Sequence, residues 1–249
     1  MSQLPVPGRD TVYVWVGGDA GGRPAPAGRL LRRAAAALLG RPEAEFVVGR
    51  RPDGGPSVRS SSAGDGGSGP VEVPASVSRT DGVVVVAVRA GGPVGVDAEW
   101  CRPLPALGLA GRWYDPAEAA WLAGRLPCGR ERDFLRLWTA KEAVGKALGT
   151  GLRGGGLRRR MPAPDGAGPL LRPVPGIPTV RVGHPCAGTG LVLAVAAAGV
   201  QGPVEVVVEE TVGRDGQVVG AVQRAGHGVA AVRSASVDRT SLPVVVRGS

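Results

Sequence analysis

The sequence contains few of the residues on which several common kinds of site depend. Its 249 residues include three Cys, two His, two Lys and one Ile, and no Asn. Cys101, Cys128 and Cys186 are too few and too widely spaced for a disulfide framework or a zinc site. Because His184 and His227 are the only histidines of the chain, a histidine-based metal centre is also excluded.

Long apolar runs and a leader-like start are lacking as well. The longest apolar run, residues 191–200, has about ten residues and is far too short to cross a bilayer. The first ten residues, MSQLPVPGRD, show no basic region followed by an apolar stretch, so no secretory signal is recognisable. We therefore expect a soluble, cytoplasmic protein with no membrane partner.

Arginine supplies nearly all of the positive charge. The chain has 28 Arg and a formal net charge of +9, which favours an acidic partner such as nucleic acid, an acidic protein or a phosphorylated ligand. Nucleic acid is the least supported of these, because no motif typical of nucleic-acid-binding proteins is present. The 42 Gly and 23 Pro approach low complexity, but 43% hydrophobic residues are enough to build a core.

The order of predicted elements indicates an α+β fold. Short β-rich runs predict strands, and Ala/Leu-rich or amphipathic stretches predict helices. Predicted strands cover 11–16, 83–88, 94–100, 179–182, 191–197 and 204–208, and predicted helices cover 29–39, a stretch from 116, and 131–148. The strands at 83–88 and 94–100 predict a hairpin, and residues 49–70 predict a flexible loop. We divide the chain into an N-terminal half (1–92), a C-terminal half (93–210) and a β-rich tail (211–249).

The first candidate site is the segment Gly95-Val96-Asp97-Ala98-Glu99 of the predicted strand 94–100. Residues two apart on a strand share a face, so Asp97 and Glu99 should project together. Two neighbouring carboxylates repel each other unless a cation lies between them, and oxygen ligands suit Mg²⁺. The alternative interpretation is the solvated acidic face of an edge strand.

The second candidate site is the predicted helix segment Trp138–Lys146, which holds both lysines of the chain. Helical spacing places Trp138, Glu142 and Lys146 in one row, and Gly145 would let another segment approach the helix closely. The alternatives are core packing for Trp138 and a surface ion pair between Glu142 and Lys146. Together with Asp97 and Glu99, this segment indicates a site for a metal-bound diphosphate, in which lysine supplies the remaining positive charge.

These two segments resemble the signatures of the 4'-phosphopantetheinyl transferases of the surfactin-synthetase type. The family pattern G-[IV]-D-x-E is matched at 95–99, and W-x-x-K-E-A-x-x-K is matched at 138–146. Pro93-Val94-Gly95 is similar to the family's lead-in, and the stretch 113–118 looks like the start of its intervening helix. The resemblance implies two similar α+β halves with a pseudo-two-fold relation, a ligand cleft between them, and a monomer.

The resemblance also implies roles for single residues. Asp97, Glu99 and Glu142 would hold Mg²⁺, which Mn²⁺ could replace, on the diphosphate of coenzyme A. Glu142 would help to deprotonate the serine of an acyl or peptidyl carrier protein, which is typically acidic. Lys146 would stabilise charge on the transferred phosphate and on the leaving group, adenosine 3',5'-bisphosphate. Lys141 would contact coenzyme A.

The sequence departs from the family pattern at three places. Where the family has F-N-x-S-H, this chain keeps Ser78 but has Arg79 in place of His, and an arginine can still bind phosphate. The family's G-K-P corresponds to Gly54-Gly55-Pro56 without the lysine, for which Arg51 or its neighbour Arg50 could substitute. The third departure is an N-terminal half that is shorter than the family's. Coenzyme A could bind there to three basic residues of the first predicted helix, Arg29, Arg32 and Arg33. The alternative is that this face of the helix is only solvated.

These departures leave two functions open. The first is transfer of phosphopantetheine to a carrier protein, with the arginine cluster at 153 and 158–160 as a docking surface or as a solvated loop. The second is a catalytically degenerate family member that acts as a binding or scaffold protein. Asp97, Glu99, Lys141, Glu142 and Lys146 are all present, which favours the enzyme.

Overall fold

The computed structural model describes residues 10–18, 26–63, 70–164, 170–187, 190–212, 217–223 and 231–232, and they form an α+β fold. The strands are β1 (Asp10–Gly18), β2 (Phe46–Arg50), β3 (Pro56–Ala63), β4 (Pro70–Val73), β5 (Ala75–Thr80), β6 (Val83–Arg89), β7 (Val94–Trp100), β8 (Arg172–Val174), β9 (Ile177–Gly183), β10 (Leu191–Ala197), β11 (Val204–Val212), β12 (Gln217–Gln223) and β13 (Ala231–Val232). The helices are α1 (Ala27–Leu39), α2 (Ala106–Trp113), α3 (Pro116–Ala123) and α4 (Arg130–Ala147).

The described strands form three sheets. The first has the order β13-β12-β11-β1-β6-β5, and within it β1 and β11 run parallel while the other pairs are antiparallel. The second sheet is antiparallel with the order β7-β10-β9-β8. The third is the small antiparallel sheet β2-β3-β4. The described part of the chain is thus built around two main sheets, with few long helices between the strands.

The two main sheets pack face to face, with a helix on the outer side of each. Alternating apolar side chains of β1, β6 and β11 meet those of β7 and β10 in one buried cluster, as period-two patterning requires. The opposite side chains of β1 and β6 pack against α1 and the small sheet. The opposite side chains of β9 and β10 pack against α4 and its neighbours. The molecule therefore stacks α1, first sheet, second sheet and α4 in that order.

The helices confirm most of the sequence-based expectations. Asp115 caps α3, accepting from the Ala117 amide, and the Glu118 side chain accepts from the Asp115 amide in return, which is a complete capping box. The αL conformation of Gly40, with a φ of 65°, ends α1 as its position after the Ala/Leu run predicts. Helix α4 covers nearly the predicted range. No helix in the described ranges is both long and apolar enough to cross a membrane.

Two expectations about strands are wrong. β6 and β7 do not form a hairpin: β6 pairs with β1 and β5, whereas β7 pairs with β10 in the other sheet. The turn at Gly91–Pro93 therefore carries the chain from one sheet to the other, and the hairpin partner of β6 is β5, across Gly82. The supposed loop at 49–70 contains β3 and parts of β2 and β4. The strand was not predicted because serine is mostly an exposed residue type, whereas Ser57 and Ser60 are buried here.

The turn between the sheets is fixed by a buried arginine. Arg89, which is 1% exposed, donates to the carboxylate of Asp10 at the start of β1 and to the carbonyl oxygens of Pro93 and Ala198. Charge-assisted bonds of this kind are the stronger hydrogen bonds of a protein. The predicted boundary at residue 92 falls in this connection, although β11 from beyond it pairs with β1, and the division into halves stays a prediction.

A glycine allows α4 to lie directly on β7. A Cβ atom at Gly95 would overlap the carbonyl oxygen of Ala143 and lie 2.8 Å from the backbone nitrogen of Ala147. These are backbone atoms of a packed helix, so they cannot move aside at low cost. The glycine of the G-V-D-A-E motif therefore sets the distance between the strand and the helix that carry the candidate site.

We expect Gly95→Ala to lower the free energy of unfolding by about 3 kcal/mol or more, because the added methyl group displaces α4. Urea unfolding followed by circular dichroism measures the change. The control is Gly108→Ala in the exposed face of α2, where a Cβ atom meets nothing within 4 Å. That variant should be neutral or gain up to about 1 kcal/mol from helix propensity. Equal stabilities of the two variants would contradict the close approach.

Candidate active site

The centre of the candidate site is the buried carboxylate of Asp97 on β7. Its side chain is 10% exposed, and Oδ1 receives hydrogen bonds from Lys146 Nζ and Ser78 Oγ, both at 2.8 Å. Lys146 Nζ also donates to the Val96 carbonyl oxygen at 3.0 Å. Burial raises the pKa of Asp97 above its ordinary value, while the charge and hydrogen bond of Lys146 act in the opposite direction. Lys146 thus pairs with Asp97, and the surface pair with Glu142 is not formed.

Strand β5 positions β7 through two serine side chains. Ser76 Oγ accepts from the Val96 amide at 3.1 Å, and Ser78 Oγ accepts from the Ala98 amide at 3.3 Å. The hydroxyl groups of β5, an edge strand of the first sheet, therefore accept hydrogen bonds from backbone amides of β7, an edge strand of the second sheet. These amides have partners although β5 and β7 form no regular ladder. Ser78 thereby fixes both the backbone and the carboxylate of Asp97. A contact of Ser78 with coenzyme A stays a prediction.

Glu142 is the half-buried carboxylate on the α4 side of the site. It forms no hydrogen bond or ion pair with the parts of the chain that the structure describes. Its pKa is raised, first by burial and then by the negative charges of Asp97 and Glu99, while the charge of Lys146 opposes the rise. The carboxylate of Glu142 on α4 therefore lies within electrostatic range of those of Asp97 and Glu99 on β7.

Glu99 lies at the open end of β7. Its Oε2 accepts from a guanidinium nitrogen of Arg102 at 2.8 Å, and the arginine side chain is 54% exposed. Exposed pairs of this kind add little to stability. Glu99 can therefore exchange its partner for a ligand at a lower cost than the buried Asp97 can.

The rest of the α4 motif serves packing. Trp138 lies 5.9 Å from Trp113 and 6.5 Å from Phe134 between ring centroids, which supports its interpretation as a core residue. A Cβ atom at Gly145 would overlap the Gly151 carbonyl group, and the Gly151 amide donates to Gly145 O at 3.0 Å. The close approach predicted at Gly145 is therefore made by the segment that follows α4.

Lys141, the other predicted ligand contact of α4, lies inside the protein. The residue is 0% exposed, and its Nζ donates to Glu118 Oε2 at 2.6 Å and to the Arg159 carbonyl oxygen at 2.5 Å. It also lies 4.8 Å from the ring centroid of Tyr114, within cation–π range. The expected contact with coenzyme A stays a prediction, but in this structure the ammonium group has protein partners on several sides.

The predicted phosphate-binding arginines lie in different parts of the fold. Arg79 is exposed on β5, where strand alternation directs its side chain to the face opposite Ser78, the face on which Val77 packs toward the α1 layer. Arg29 is exposed on α1, and Arg51 pairs with Asp53 at 3.2 Å in the turn between β2 and β3. Helix α1 and the small sheet pack on the face of the first sheet that points away from the second. The structure thus places Arg29 and Arg51 in a separate layer, and among the described residues it shows no hydrogen bond or ion pair between Arg79 and the acidic group.

The donor set of the site suits a magnesium ion that is shared with a ligand. In the described ranges, no group of three or more acidic, His or Cys side chains is arranged so that it could hold a metal ion. Mg²⁺ is typically held by one or two carboxylates together with water and substrate phosphates. Asp97, Glu99 and Glu142 offer such hard oxygen donors, and their mutual repulsion is the cost that a cation would relieve.

A comparison with protein families covers the same segment. Residues 93–171, about a third of the chain, match the model of the 4'-phosphopantetheinyl transferase superfamily. This segment is therefore similar to that superfamily. The match includes both motifs and supports a transferase of this kind. A search of curated proteins found no match to the chain.

The roles of two residues around the candidate site were missed by sequence reasoning. Ser76 carries no motif, and only the alternation of β5 could have placed it on the same face as Ser78. Glu118 was recognised as a helix-capping residue, yet its pairing with Lys141 joins positions 23 residues apart and leaves no local signal. Both residues act through partners from other elements.

In metal-free buffer, we expect the site to weaken folding as the pH rises. The raised pKa values of Asp97 and Glu142 make the native state bind protons more tightly than the unfolded chain, so stability falls as pH rises from the ordinary values of 3.8 and 4.5 through the raised ones. Glu142→Gln should make this fall shallower. Lys146→Met removes the charge that lowers both pKa values and should extend the fall to higher pH. Urea unfolding across this range tests the expectation, and parallel curves for all three proteins would contradict it.

Proposed function

We propose that the protein transfers 4'-phosphopantetheine from coenzyme A to a serine of an acyl or peptidyl carrier protein, in a Mg²⁺-dependent reaction of the surfactin-synthetase type. The observation that supports this most is the meeting of β7 and α4 within the matched domain. There the charges of Asp97 and Glu99 act on Glu142, and Lys146 Nζ lies 2.8 Å from Asp97 Oδ1. A scaffold with no chemistry to perform would have no need for carboxylates that repel one another across the contact of β7 and α4.

The carboxylates would hold the metal and orient the diphosphate. Asp97, Glu99 and Glu142 would be the ligands. A bound Mg²⁺ would neutralise part of the negative charge of the phosphates. Ser78 Oγ donates a hydrogen bond to the Asp97 carboxylate and so fixes its orientation. The same oxygen accepts a hydrogen bond from the Ala98 amide, which fixes the serine side chain relative to β7. The pre-oriented donor set would reduce the reorganisation needed in the transition state.

Glu142 would take the proton of the attacking hydroxyl. Its pKa is raised toward neutral pH, and a general base works best when its pKa lies near the pH of the reaction. As the proton moves to Glu142, the serine oxygen forms a bond with the β-phosphorus of coenzyme A. The bond from that phosphorus to the bridging oxygen breaks, and its electron pair leaves with adenosine 3',5'-bisphosphate.

Lys146 would stabilise the charge that develops during transfer. Its side chain is 29% exposed, so the ammonium group could reach a phosphate oxygen from its place beside Asp97. A lysine supplies a compact point charge here, in a chain that uses arginine almost everywhere else. This use explains why lysine occurs at this position of α4.

The carrier protein would approach a basic surface. Arg153, Arg158 and Arg160 are exposed in the segment that follows α4, close to the end of the helix that carries Lys146. Complementary charge would favour an acidic carrier domain and speed its encounter with the enzyme.

We expect incubation of an apo carrier protein with the protein, coenzyme A and Mg²⁺ to add the mass of one phosphopantetheine, measured by intact-mass spectrometry. Glu142→Gln should lower the transfer rate by about 100-fold or more, because it removes the general base. Glu131→Gln makes the same chemical change in the first turn of α4 and should leave the rate unchanged.

Two outcomes would count against the proposal. No transfer to a panel of fatty acid, polyketide and peptide carrier proteins, together with retained coenzyme A binding, would favour the scaffold function. Equal transfer rates for Glu142→Gln and Glu131→Gln would show that the reaction takes place elsewhere.

A further inference from the structure

Lys141 is a fully buried charge whose position is fixed from several directions. The ammonium group contacts Glu118 from α3, the Arg159 carbonyl oxygen from the segment after α4, and the ring of Tyr114 at the end of α2. A buried ammonium group is tolerated only where its charge is paired and its donors are used. The side chain therefore ties three separate parts of the domain to the middle of α4.

Glu118 completes the arrangement from the other side. Its Oε2 accepts from Lys141 Nζ, and its Oε1 accepts from the Met161 amide at 2.8 Å. The residue is 5% exposed, so these bonds are shielded from water. Glu118 also belongs to the capping box of α3, which fixes its position through the Asp115 amide.

The pair holds the backbone on both sides of one arginine. Lys141 binds the carbonyl oxygen of Arg159, which belongs to the peptide group before Arg160. Glu118 binds the amide of Met161, which belongs to the peptide group after Arg160. The Arg160 side chain is left 60% exposed and lies 3.6 Å from an Asp115 carboxylate oxygen. The buried pair thus presents an arginine at the surface from a fixed backbone.

We propose that the Lys141–Glu118 pair is a clamp that fixes the segment Arg159–Met161 against α4, and that Lys141 is a positioning residue and no ligand contact. With the close approaches at Gly95 and Gly145, the clamp fixes the rotation of α4 about its axis. Since Glu142 follows Lys141 directly in the helix, this rotation decides where its carboxylate points. Only this last step depends on the proposed transfer activity.

Limited proteolysis with trypsin tests the clamp without any ligand. The two bonds that trypsin would cut after Arg159 and Arg160 contain the same carbonyl and amide groups that the pair binds. Lys141→Met should speed cleavage at these bonds at least tenfold relative to the wild-type protein, as followed by mass spectrometry of the fragments. Lys146→Met makes the same change on the same helix and should leave cleavage there unchanged, because Lys146 contacts β7 instead.

A second variant covers the case in which Lys141→Met fails to fold. Glu118→Gln keeps an acceptor for the Met161 amide but removes the charge that holds the ammonium group. It should also speed cleavage after Arg159. Cleavage of Lys141→Met, or of Glu118→Gln in its place, at the rate found for Lys146→Met would overturn the clamp.

Kinetics separate the positioning role from a ligand contact. Lys141→Met should lower kcat while the dissociation constant of coenzyme A, measured by calorimetry, stays within about twofold, which is a change of less than 1 kcal/mol. A tenfold weaker coenzyme A affinity with unchanged trypsin cleavage would show that Lys141 contacts the ligand. Failure of transfer in the wild-type protein would contradict the proposed function but leave the proteolysis result as evidence on the clamp.

Discussion

The site depends on how closely α4 lies on β7. Gly95 brings the helix backbone against the strand, and this distance lets the Lys146 ammonium group reach Asp97 and the Val96 carbonyl oxygen together. A larger residue at Gly95 would separate the carboxylates of the strand from Glu142. The motif glycine is therefore as much a part of the site as the acidic residues that follow it.

The sequence predicted those features that one element determines by itself. Strand alternation put Asp97 and Glu99 on the same side of β7, and helix spacing and capping chemistry gave α3 and α4 nearly as observed. The superfamily resemblance is confirmed for residues 93–171, whose match supports a transferase of this kind. Its subtype, its metal and its carrier protein are proposals.

The failures concern pairing between distant segments. Two adjacent valine-rich runs look the same whether they pair with each other or join different sheets, and here Arg89 fixes the turn between β6 and β7 so that they separate. Ser57 and Ser60 are buried in β3, where composition suggested a loop. Likewise, no local pattern shows that Lys141 turns inward to Glu118 while Lys146, five residues later, turns toward β7.

The most direct test of the account is a calorimetric titration of coenzyme A into the protein in the presence of Mg²⁺, compared between the wild-type chain and Asp97→Asn. If the junction of β7 and α4 holds the metal-bound diphosphate, the variant should keep its fold by circular dichroism and bind at least about tenfold more weakly, a loss of about 1.4 kcal/mol. Equal affinities for the two folded proteins would contradict the account, because the ligand would then bind without the buried carboxylate at the centre of the site.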